Sequence, residues 1–265
     1  MEPVIEEIKA SPLFRKLRHS VGKAISDFGL IKEGDRIAVA VSGGKDSYTM
    51  LLVLDELLRR SPVKFELMAV TIDSGYPGFR SDIIEEFVRS RGIRCHVKKT
   101  DHFNIISEKR RPGSSYCSIC SRLKRGELYG LTASLGCNKL ALGHHSDDFI
   151  ETLLLNQFFV GSLKAMSACM LADNGETTVI RPLVYTREED IISFSREMSL
   201  PVVCCCCPVC GTADMQRKKM KNLLKQLEKE IPHVKNSMLK ALSNVHPRHL
   251  LDSGLIRTDS VSDRD

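Results

Sequence analysis

Residues 36–60 contain an apolar run, a polar loop with two adjacent glycines and a segment of helical spacing, in direct succession. The apolar run, Arg36-Ile-Ala-Val-Ala-Val-Ser, predicts a buried strand, and residues 48–60 predict a helix. The same order recurs along the chain, with strands predicted at 65–73, 93–97 and 139–143 and helices at 81–91 and 123–135. Strands that alternate with helices predict an α/β fold built on a doubly wound parallel sheet.

We divide the chain into four parts on the same evidence. Residues 1–34 are predicted to form a basic helical segment, and residues 35–200 the α/β domain. Residues 201–252 are predicted to contain a cysteine-rich segment and basic C-terminal helices, and residues 253–265 a disordered polar tail.

The composition excludes several classes of protein. The chain has 265 residues, of which 42% are hydrophobic, so it is long enough to bury a sizeable core. No apolar stretch approaches the roughly 18 residues of a membrane span, and the N-terminus is acidic where a secretory signal is basic. We therefore expect a cytoplasmic protein with no membrane partner. In that compartment its ten cysteines favour metal or sulfur chemistry over disulfides.

The loop Ser42-Gly43-Gly44-Lys45-Asp46-Ser47 has the features of a phosphate site. It opens a predicted helix, so backbone N–H groups and the helix dipole would face an anion, and Lys45 adds a positive charge. Its spacing is neither that of kinase-type loops nor that of dinucleotide-binding loops, and it matches the PP-loop of ATP pyrophosphatases. The alternative is a simple strand-to-helix turn. Asp46 is a candidate Mg²⁺ ligand, or a residue that caps the helix dipole.

A second polar cluster, Gly143-His144-His145-Ser146-Asp147-Asp148, lies at another predicted strand-to-helix junction. Ser146 is the predicted N-cap, and the carboxylates of Asp147 and Asp148 would stabilise the first turn of the helix in any case. Two adjacent acids beside histidines exceed what capping requires, so we expect a metal, nucleotide or catalytic role. Asp73 ends the second predicted strand and is a candidate adenosine contact, or a turn-forming residue.

Two Cys-x-x-Cys pairs, Cys117/Cys120 and Cys207/Cys210, have a spacing that lets both sulfurs of a pair reach one metal. Four thiolates would make a structural zinc site. Three would leave one iron of a [4Fe–4S] cluster open to an exogenous sulfur, and the sequence allows both. We expect packing or accessory roles for the cysteines of the tandem run, Cys204, Cys205 and Cys206. The three single cysteines, Cys95, Cys137 and Cys169, are expected to fill the core.

Together these motifs resemble the tRNA 2-thiocytidine synthetase family over nearly the whole chain. The similar segments are the loop at 42–47, the cysteine motif at 117–126, Leu142-Gly-His-His-Ser-Asp-Asp, Ile180-Arg-Pro-Leu-Val-Tyr, Cys207-Pro-Val-Cys-Gly and His246-Pro-Arg-His-Leu-Leu-Asp. The resemblance implies an adenine nucleotide α-hydrolase-like fold with helical N- and C-terminal additions. It also implies an enzyme that converts a cytidine of the tRNA anticodon loop into 2-thiocytidine, using ATP, Mg²⁺, a [4Fe–4S] cluster and a cysteine desulfurase or another sulfur donor.

The predicted site contains three sets of residues. The nucleotide set is Ser42, Gly43, Gly44, Lys45, Asp46, Ser47, Asp73, Gly143 and His144, and the catalytic residues are Lys45, Asp46, Asp147 and Asp148. The resemblance implies cluster ligands at Cys117, Cys120 and Cys207, with Cys210 as the alternative third ligand. The RNA-binding set, drawn from basic runs that are equally compatible with a solvated surface, is Arg110, Arg111, Arg125, Arg217 and Lys218.

Three alternatives stay open. A PP-loop uridine thiolase, or another RNA-modifying enzyme of this class, could carry a structural zinc in place of the cluster. A noncatalytic RNA-binding module could hold zinc on the same cysteines, although the intact loop and the adjacent acids disfavour it. A PP-loop amidotransferase or ligase could act on a small molecule. The sequence leaves the sulfur donor and the oligomeric state open, with a homodimer as one option.

Overall fold

The computed structural model describes residues 11–109, 116–207 and 215–256. Within these ranges the strands are β1 (Arg36–Ala40), β2 (Glu66–Asp73), β3 (Cys95–Lys99), β4 (Lys139–Ala141), β5 (Cys169–Leu171) and β6 (Thr178–Ile180). They form a sheet in the order β3-β2-β1-β4-β6-β5. Neighbouring strands are parallel except β5 and β6, which are antiparallel. The predicted α/β fold with a parallel sheet is confirmed, and an antiparallel strand is added at one edge.

Helices cover both faces of this sheet. The described helices are α1 (Pro12–Phe28), α2 (Lys45–Arg60), α3 (Ser81–Arg89), α4 (His102–Lys109), α5 (Tyr116–Ser134), α6 (Ser146–Leu155), α7 (Glu188–Glu197), α8 (Met215–Glu230), α9 (Val234–Ala241) and α10 (Ser253–Ile256). A π-helical turn, Asn156–Val160, continues α6. Among these helices, none combines the length and the apolar composition needed to cross a bilayer.

The sequence pattern predicts neither α4 nor β5. In α4 only His102 and Ile106 are buried, and two buried positions are too few to show a helical period in the sequence. In β5 all three residues are exposed, so alternation between a buried and a solvent face is missing. The same exposure makes the prediction for Cys169 wrong, because an edge strand does not place it in the core. The predictions for Cys95 and Cys137 are confirmed, since both are buried.

The central strands are buried on both faces, as their continuous apolar sequence predicts. Ile37 and Val39 belong to the main core cluster, together with residues of α1, α2 and α7. Ala38 faces the other way and packs with Leu140 and with residues of α5. Successive strand residues point to opposite faces, so this division follows directly from a sheet covered by helices on each side.

Helix α1 packs onto the α/β core. Ser11 caps its first turn by accepting a hydrogen bond from Phe14 N at 3.1 Å, and Gly29 ends it in the left-handed conformation. Its buried residues recur at helical spacing, and the ring of Phe14 stacks on that of Phe194 in α7 with centroids 5.4 Å apart.

The boundaries of the four predicted parts stay predictions, and residues 257–265 of the predicted tail lie outside the described ranges.

A buried ion pair ties the turn after α1 to the start of β4. Lys139 Nζ lies 2.6 Å from Asp35 Oδ2 and also donates to Leu30 O at 2.6 Å. Burial alone would raise the pKa of Asp35, but the hydrogen bonds from Lys139 and from the Lys32 backbone outweigh it and lower the pKa. Asn138 Nδ2 donates to the other carboxylate oxygen at 2.7 Å, so both oxygens are satisfied.

We expect Lys139→Met to lower the free energy of unfolding by about 3 kcal/mol, because it leaves the Asp35 carboxylate buried without its cation. Adding Asp35→Asn should restore part of the loss, since no uncompensated charge remains. Arg89→Gln is the matched control: it breaks an ion pair with Glu85 whose arginine side chain is 65% exposed, and should cost less than about 1 kcal/mol. Urea unfolding measures all three variants. Equal losses for Lys139→Met and Arg89→Gln would show that burial adds nothing to the pair.

Candidate functional site

The predicted phosphate loop connects β1 to α2. Gly44 is the N-cap of α2 in an extended conformation, and the helix begins at Lys45. Ser47 Oγ donates to Gly44 O at 2.8 Å and accepts from Ser42 N at 3.2 Å, so the two serines hold the loop closed. The first N–H groups of a helix lack intrahelical acceptors. This end of α2 therefore offers donors and a favourable dipole to an anion.

Two glycines allow other segments to approach this loop closely. Gly43 has φ +83°, and an added Cβ would lie 2.9 Å from Ile84 Cδ1 and 3.0 Å from Val203 Cβ. Its carbonyl accepts a hydrogen bond from Val203 N at 2.9 Å, which joins the loop to the segment that leads into the cysteine run. An added Cβ on Gly143 would lie 3.3 Å from the backbone of Asp46. The β4–α6 junction thus packs directly against the loop.

The charges in the loop are paired with those of neighbouring elements. Lys45 Nζ lies 3.1 Å from Asp46 Oδ1 and 3.4 Å from Glu188 Oε1. Burial would lower the pKa of Lys45, but the two carboxylates outweigh it and raise the pKa. Asp46 Oδ1 is shielded from solvent and accepts no hydrogen bond from the described residues, although Lys45 and, at 3.8 Å, His145 Nε2 face it. A shielded carboxylate oxygen in this position fits a Mg²⁺ ligand.

Helix α6 places its two acids as predicted, but its N-cap is His145, so the prediction for Ser146 is wrong. Ser146 Oγ donates to Thr186 O at 2.8 Å and is occupied outside the helix. Asp147 and Asp148 fall in the first turn. The contacts of these two acids decide what they can do.

Both oxygens of each acid face protein donors. Asp147 Oδ2 accepts from Glu188 N at 2.9 Å, and Oδ1 lies 3.0 Å from Lys235 Nζ. Burial would raise the pKa of Asp147, but these donors outweigh it and lower the pKa. Asp148 accepts from His145 N at 3.0 Å and from Arg217 Nη1 at 3.0 Å. The two acids therefore hold α7, α8 and α9 against the start of α6.

Two further acids belong to this region. Glu151 is buried on α6, and its closest described cation is Arg217, with Nη1 3.8 Å from Oε2. Burial raises the pKa of Glu151 to about 7. Glu188, at the start of α7, pairs with Lys45 and with Lys221. Glu188 lies in none of the motifs, and its only signal in the sequence is a run of acids at a helix start, which capping explains equally well.

His144 and Asp73 lie at strand ends, as predicted. His144 Nδ1 accepts a hydrogen bond from Arg181 Nε at 3.3 Å. Burial lowers the pKa of His144 to about 4, and the charge of Arg181 acts in the same direction, so the imidazole is neutral. Asp73 accepts from Gly75 N at 3.1 Å and from Ser81 Oγ at 2.8 Å, which are the contacts of a turn-forming residue. Its adenosine contact stays a prediction.

Cysteines from two distant segments meet beside the carboxyl ends of β1 and β2. Cys120, near the start of α5, and Cys206 and Cys207 all pack against one apolar cluster, formed by Tyr76, Ile106 and Tyr116. Tyr76 donates its hydroxyl to Cys120 Sγ at 3.4 Å, and burial together with this bond raises the pKa of Tyr76. Cys205 Sγ lies 3.5 Å from Cys207 Sγ.

The predicted ligands are only partly brought together. Cys117 is exposed and precedes Cys120 by three residues on the same helix, whereas Cys210 lies outside the described ranges. Across residues 11–109, 116–207 and 215–256, no three Cys, His, Asp or Glu side chains converge in a way that could hold a metal ion. The donor chemistry fits a thiolate-bound centre, and two of the three predicted ligands, Cys120 and Cys207, pack against the apolar cluster.

A cavity of about 200 Å³ is lined by residues of the phosphate loop and by Cys205. Its lining is mostly apolar and includes Val70, Ile72 and Phe79, together with Ser42, Gly44 and Cys205. It lies at the carboxyl ends of β1 and β2, which is where ligands bind in open α/β sheets. An apolar cavity between a phosphate site and a thiol suits a flat base.

The predicted RNA-binding residues differ in their surroundings. Arg125 on α5 and Lys218 on α8 are exposed. Arg217 instead turns inward and pairs with Asp148 and Glu151. Arg110 and Arg111 lie outside the described ranges. Residues on the same basic run therefore have different roles, because a helix presents opposite faces to the core and to solvent.

Three comparisons with known proteins bear on this site. Residues 13–203 match the family described as a PP-loop domain. The tRNA-cytidine(32) 2-sulfurtransferase of Pelobacter propionicus is 70% identical over 94% of this chain and 93% of its own length, and that of Geobacter sulfurreducens is 69% identical over 94% and 96%. The structure of the U34-tRNA thiolase NcsA from Methanococcus maripaludis with its [4Fe-4S] cluster is similar, with a TM-score of 0.71 and 21% identity over 88% of this chain and 78% of that one. At that identity the likeness shows a shared fold.

Gly43→Ala should weaken ATP binding about tenfold or more, because alanine is strained at positive φ and its Cβ would collide with Ile84 and Val203. Gly44→Ala is the matched variant: its φ is −81°, its Cβ would meet only Ser42 Oγ at 3.5 Å, and its loss should be smaller. ATP titration by calorimetry, with thermal unfolding in parallel, measures both. If the two variants bound ATP with equal affinity, the positive φ and close packing at Gly43 could not be the cause of weakened ATP binding.

Glu151→Gln should change how stability depends on pH. The folded pKa is about 7 and the ordinary value is 4.5, so between them the folded chain binds more protons than the unfolded chain. Deprotonation of Glu151 therefore lowers the free energy of unfolding progressively as the pH rises from about 4.5 to about 7, and the loss is complete above that range. The Gln variant lacks this loss, so its stability relative to the unsubstituted chain should rise by up to about 3 kcal/mol across the window.

Urea unfolding at about pH 5 and about pH 8 tests this difference. Glu197→Gln, at an exposed position on α7, is the control and should show no comparable trend. A stability difference that stays constant with pH would contradict the raised pKa of Glu151.

Proposed function

The chain belongs to the tRNA-cytidine(32) 2-sulfurtransferase family of PP-loop enzymes, and from this premise we propose that it replaces the C2 oxygen of cytidine 32 of tRNA with sulfur at the expense of ATP. The observation that carries the proposal is the direct contact between the phosphate loop and the cysteine segment. Gly43 O accepts from Val203 N at 2.9 Å, and one cavity is lined both by loop residues and by Cys205. Activation and sulfur transfer can therefore occur at adjacent places.

The activation step follows from the chemistry of cytosine. The C2 oxygen is a poor leaving group until it becomes part of a phosphate ester. In the proposed step this oxygen attacks the α-phosphorus of ATP, a P–O bond forms, and pyrophosphate leaves. A sulfur nucleophile then attacks C2, the C2–O bond breaks, and AMP departs with its electron pair.

The loop residues serve the first of these steps. The N–H groups at the start of α2 and the ammonium of Lys45 stabilise the departing pyrophosphate. Asp46 Oδ1, which is shielded and accepts no hydrogen bond from the described residues, would hold a Mg²⁺ ion, and that ion would offset triphosphate charge. Asp147 and Asp148 act beside them as positioning residues, since they hold Lys235 and Arg217 against the site.

The second step belongs to the cysteines. Cys117, Cys120 and Cys207 would hold a [4Fe–4S] cluster, with Cys210 as the alternative third ligand. The cluster supplies, when bound, an iron without a protein ligand that can carry the sulfur. The apolar cluster around Tyr76, which contacts Cys120 and Cys207, keeps water from this place. A cysteine desulfurase or another sulfur donor is the partner that this chemistry requires.

Replacing Cys117 or Cys120 with Ala should abolish 2-thiocytidine formation and remove bound iron, while ATP affinity changes less than about twofold, because neither thiol lines the phosphate loop. Cys169→Ser is the matched control, since Cys169 is exposed on β5 and outside the proposed ligand set. The measurements are iron, sulfide and zinc analysis after anaerobic purification, ATP titration, and nucleoside analysis of tRNA after reaction.

About four irons and four sulfides per chain support the cluster. One zinc and no iron would reject it in favour of a structural zinc site. Thiolated uridine in place of 2-thiocytidine would reject the target base. Continued thiolation by Cys117→Ala would reject the sulfur-transfer step through these thiols.

A further inference from the structure

Arg181 follows β6 and is held in place at the carboxyl edge of the sheet. Its backbone N donates to Ala168 O at 2.8 Å, and its Nη1 donates to Ser167 O at 2.6 Å. Its Nε donates to His144 Nδ1 at 3.3 Å. Two of the five guanidinium N–H groups are thus used to fix its orientation, and three, including both of Nη2, remain for another acceptor.

No carboxylate of the described residues forms an ion pair with Arg181, whose described side-chain partners are an imidazole and a carbonyl. This sets it apart from Lys45, Arg217, Lys221 and Lys235 of the same region, each of which pairs with an acid. Burial lowers the pKa of Arg181, and the positive charge of Arg125 on α5 acts in the same direction. Arg181 is therefore a partly buried cation that no acid of the described residues neutralises, and the charge of Arg125 acts on it.

His144 adds a third donor to this group. The Nε of a guanidinium can only donate, so the His144 Nδ1 that it contacts must be the unprotonated nitrogen. The proton of the neutral imidazole is then on Nε2. Arg181, Arg125 and His144 accordingly offer donors and positive charge, and none of them offers an acceptor to a ligand.

This group is separate from the phosphate loop but lies on the same edge of the sheet. β4 lies between β1 and β6, so the ends of β1 and β6 are two strand spacings apart, or about 10 Å. The phosphate loop follows β1, whereas Arg181 follows β6. An anion bound by Arg181 would therefore occupy a second position beside the pyrophosphate site.

We propose that Arg181 and His144 form a second anion site that binds a phosphate group of the substrates, with Arg125 on α5 adding positive charge. This inference rests on the proposed function, which brings two sources of phosphate to this edge: the backbone of the tRNA and the phosphate chain of ATP. A tRNA phosphodiester placed here would fix the anticodon loop beside the cavity. An ATP phosphate placed here would orient the α-phosphorus for attack.

Arg125→Gln, Arg181→Lys and the control Arg196→Gln test the site. Arg125 and Arg196 are both exposed on helices, so each Gln variant removes one surface charge without disturbing the core. Arg181→Lys keeps the charge but loses the Nε donor and the planar fork. The probes are an unmodified tRNA transcript, titrated at several salt concentrations, and ATP alone.

If the site takes a tRNA phosphate, Arg125→Gln and Arg181→Lys should each weaken tRNA binding about five- to tenfold, with ATP affinity unchanged. Arg125→Gln removes a charge and should also reduce the salt slope by about one, whereas Arg181→Lys keeps the charge and should leave the slope unchanged. If it takes an ATP phosphate, ATP affinity should fall by a similar factor while tRNA binding matches that of Arg196→Gln. Either result supports the site and identifies its ligand. The proposal is overturned if Arg125→Gln and Arg181→Lys bind both probes as tightly as Arg196→Gln.

The unsubstituted enzyme separates this inference from the proposed function. If it forms 2-thiocytidine and the variants bind both probes normally, the anion site alone fails. If it forms no 2-thiocytidine with ATP and a sulfur donor present, the proposed function fails, whatever the binding of phosphate.

Discussion

The hydrogen bond from Val203 N to Gly43 O joins the two halves of the site. It requires a residue at position 43 with positive φ and no side chain, because a Cβ there would lie 3.0 Å from the Val203 side chain. Through this bond the segment that carries the cysteine run is held against the loop that follows β1. Residues of that loop and Cys205 of that segment line one cavity.

The charged groups around the loop form a second layer of organisation. Acids on α6 and α7 pair with cations on α8 and α9, so the C-terminal helices are tied electrostatically to the nucleotide end of the sheet. Apolar contacts support the same arrangement, since Met220 and Leu224 of α8 pack against Ile150 and Leu154 of α6. These ion pairs are only partly buried, since the side chains of Arg217 and Lys221 are 37% and 40% exposed, so each adds little net stability and their main effect is to select which helix faces meet.

Much of the scaffold was predictable because it depends on local order along the chain. The apolar run at β1, the Gly-Gly turn and the helix that follows it are adjacent in sequence, and their geometry follows from hydrophobic period and backbone freedom. The predictions that failed concern groups whose partners are distant. Ser146 reads as an N-cap but bonds to Thr186, and Cys169 reads as a core residue but lies on an edge strand.

The sequence by itself determined the alternation of strands and helices, the position of the phosphate loop and the identity of the thiol pairs as candidate ligands. Only the tertiary structure decided that Arg217 faces the acids of α6, that Glu188 shares Lys45 with Asp46, and that Arg181 orients His144. Local spacing governs backbone conformation over a few residues. The partner of a charged side chain is set by which helix faces and strand ends pack together, and that depends on contacts between residues far apart in the chain.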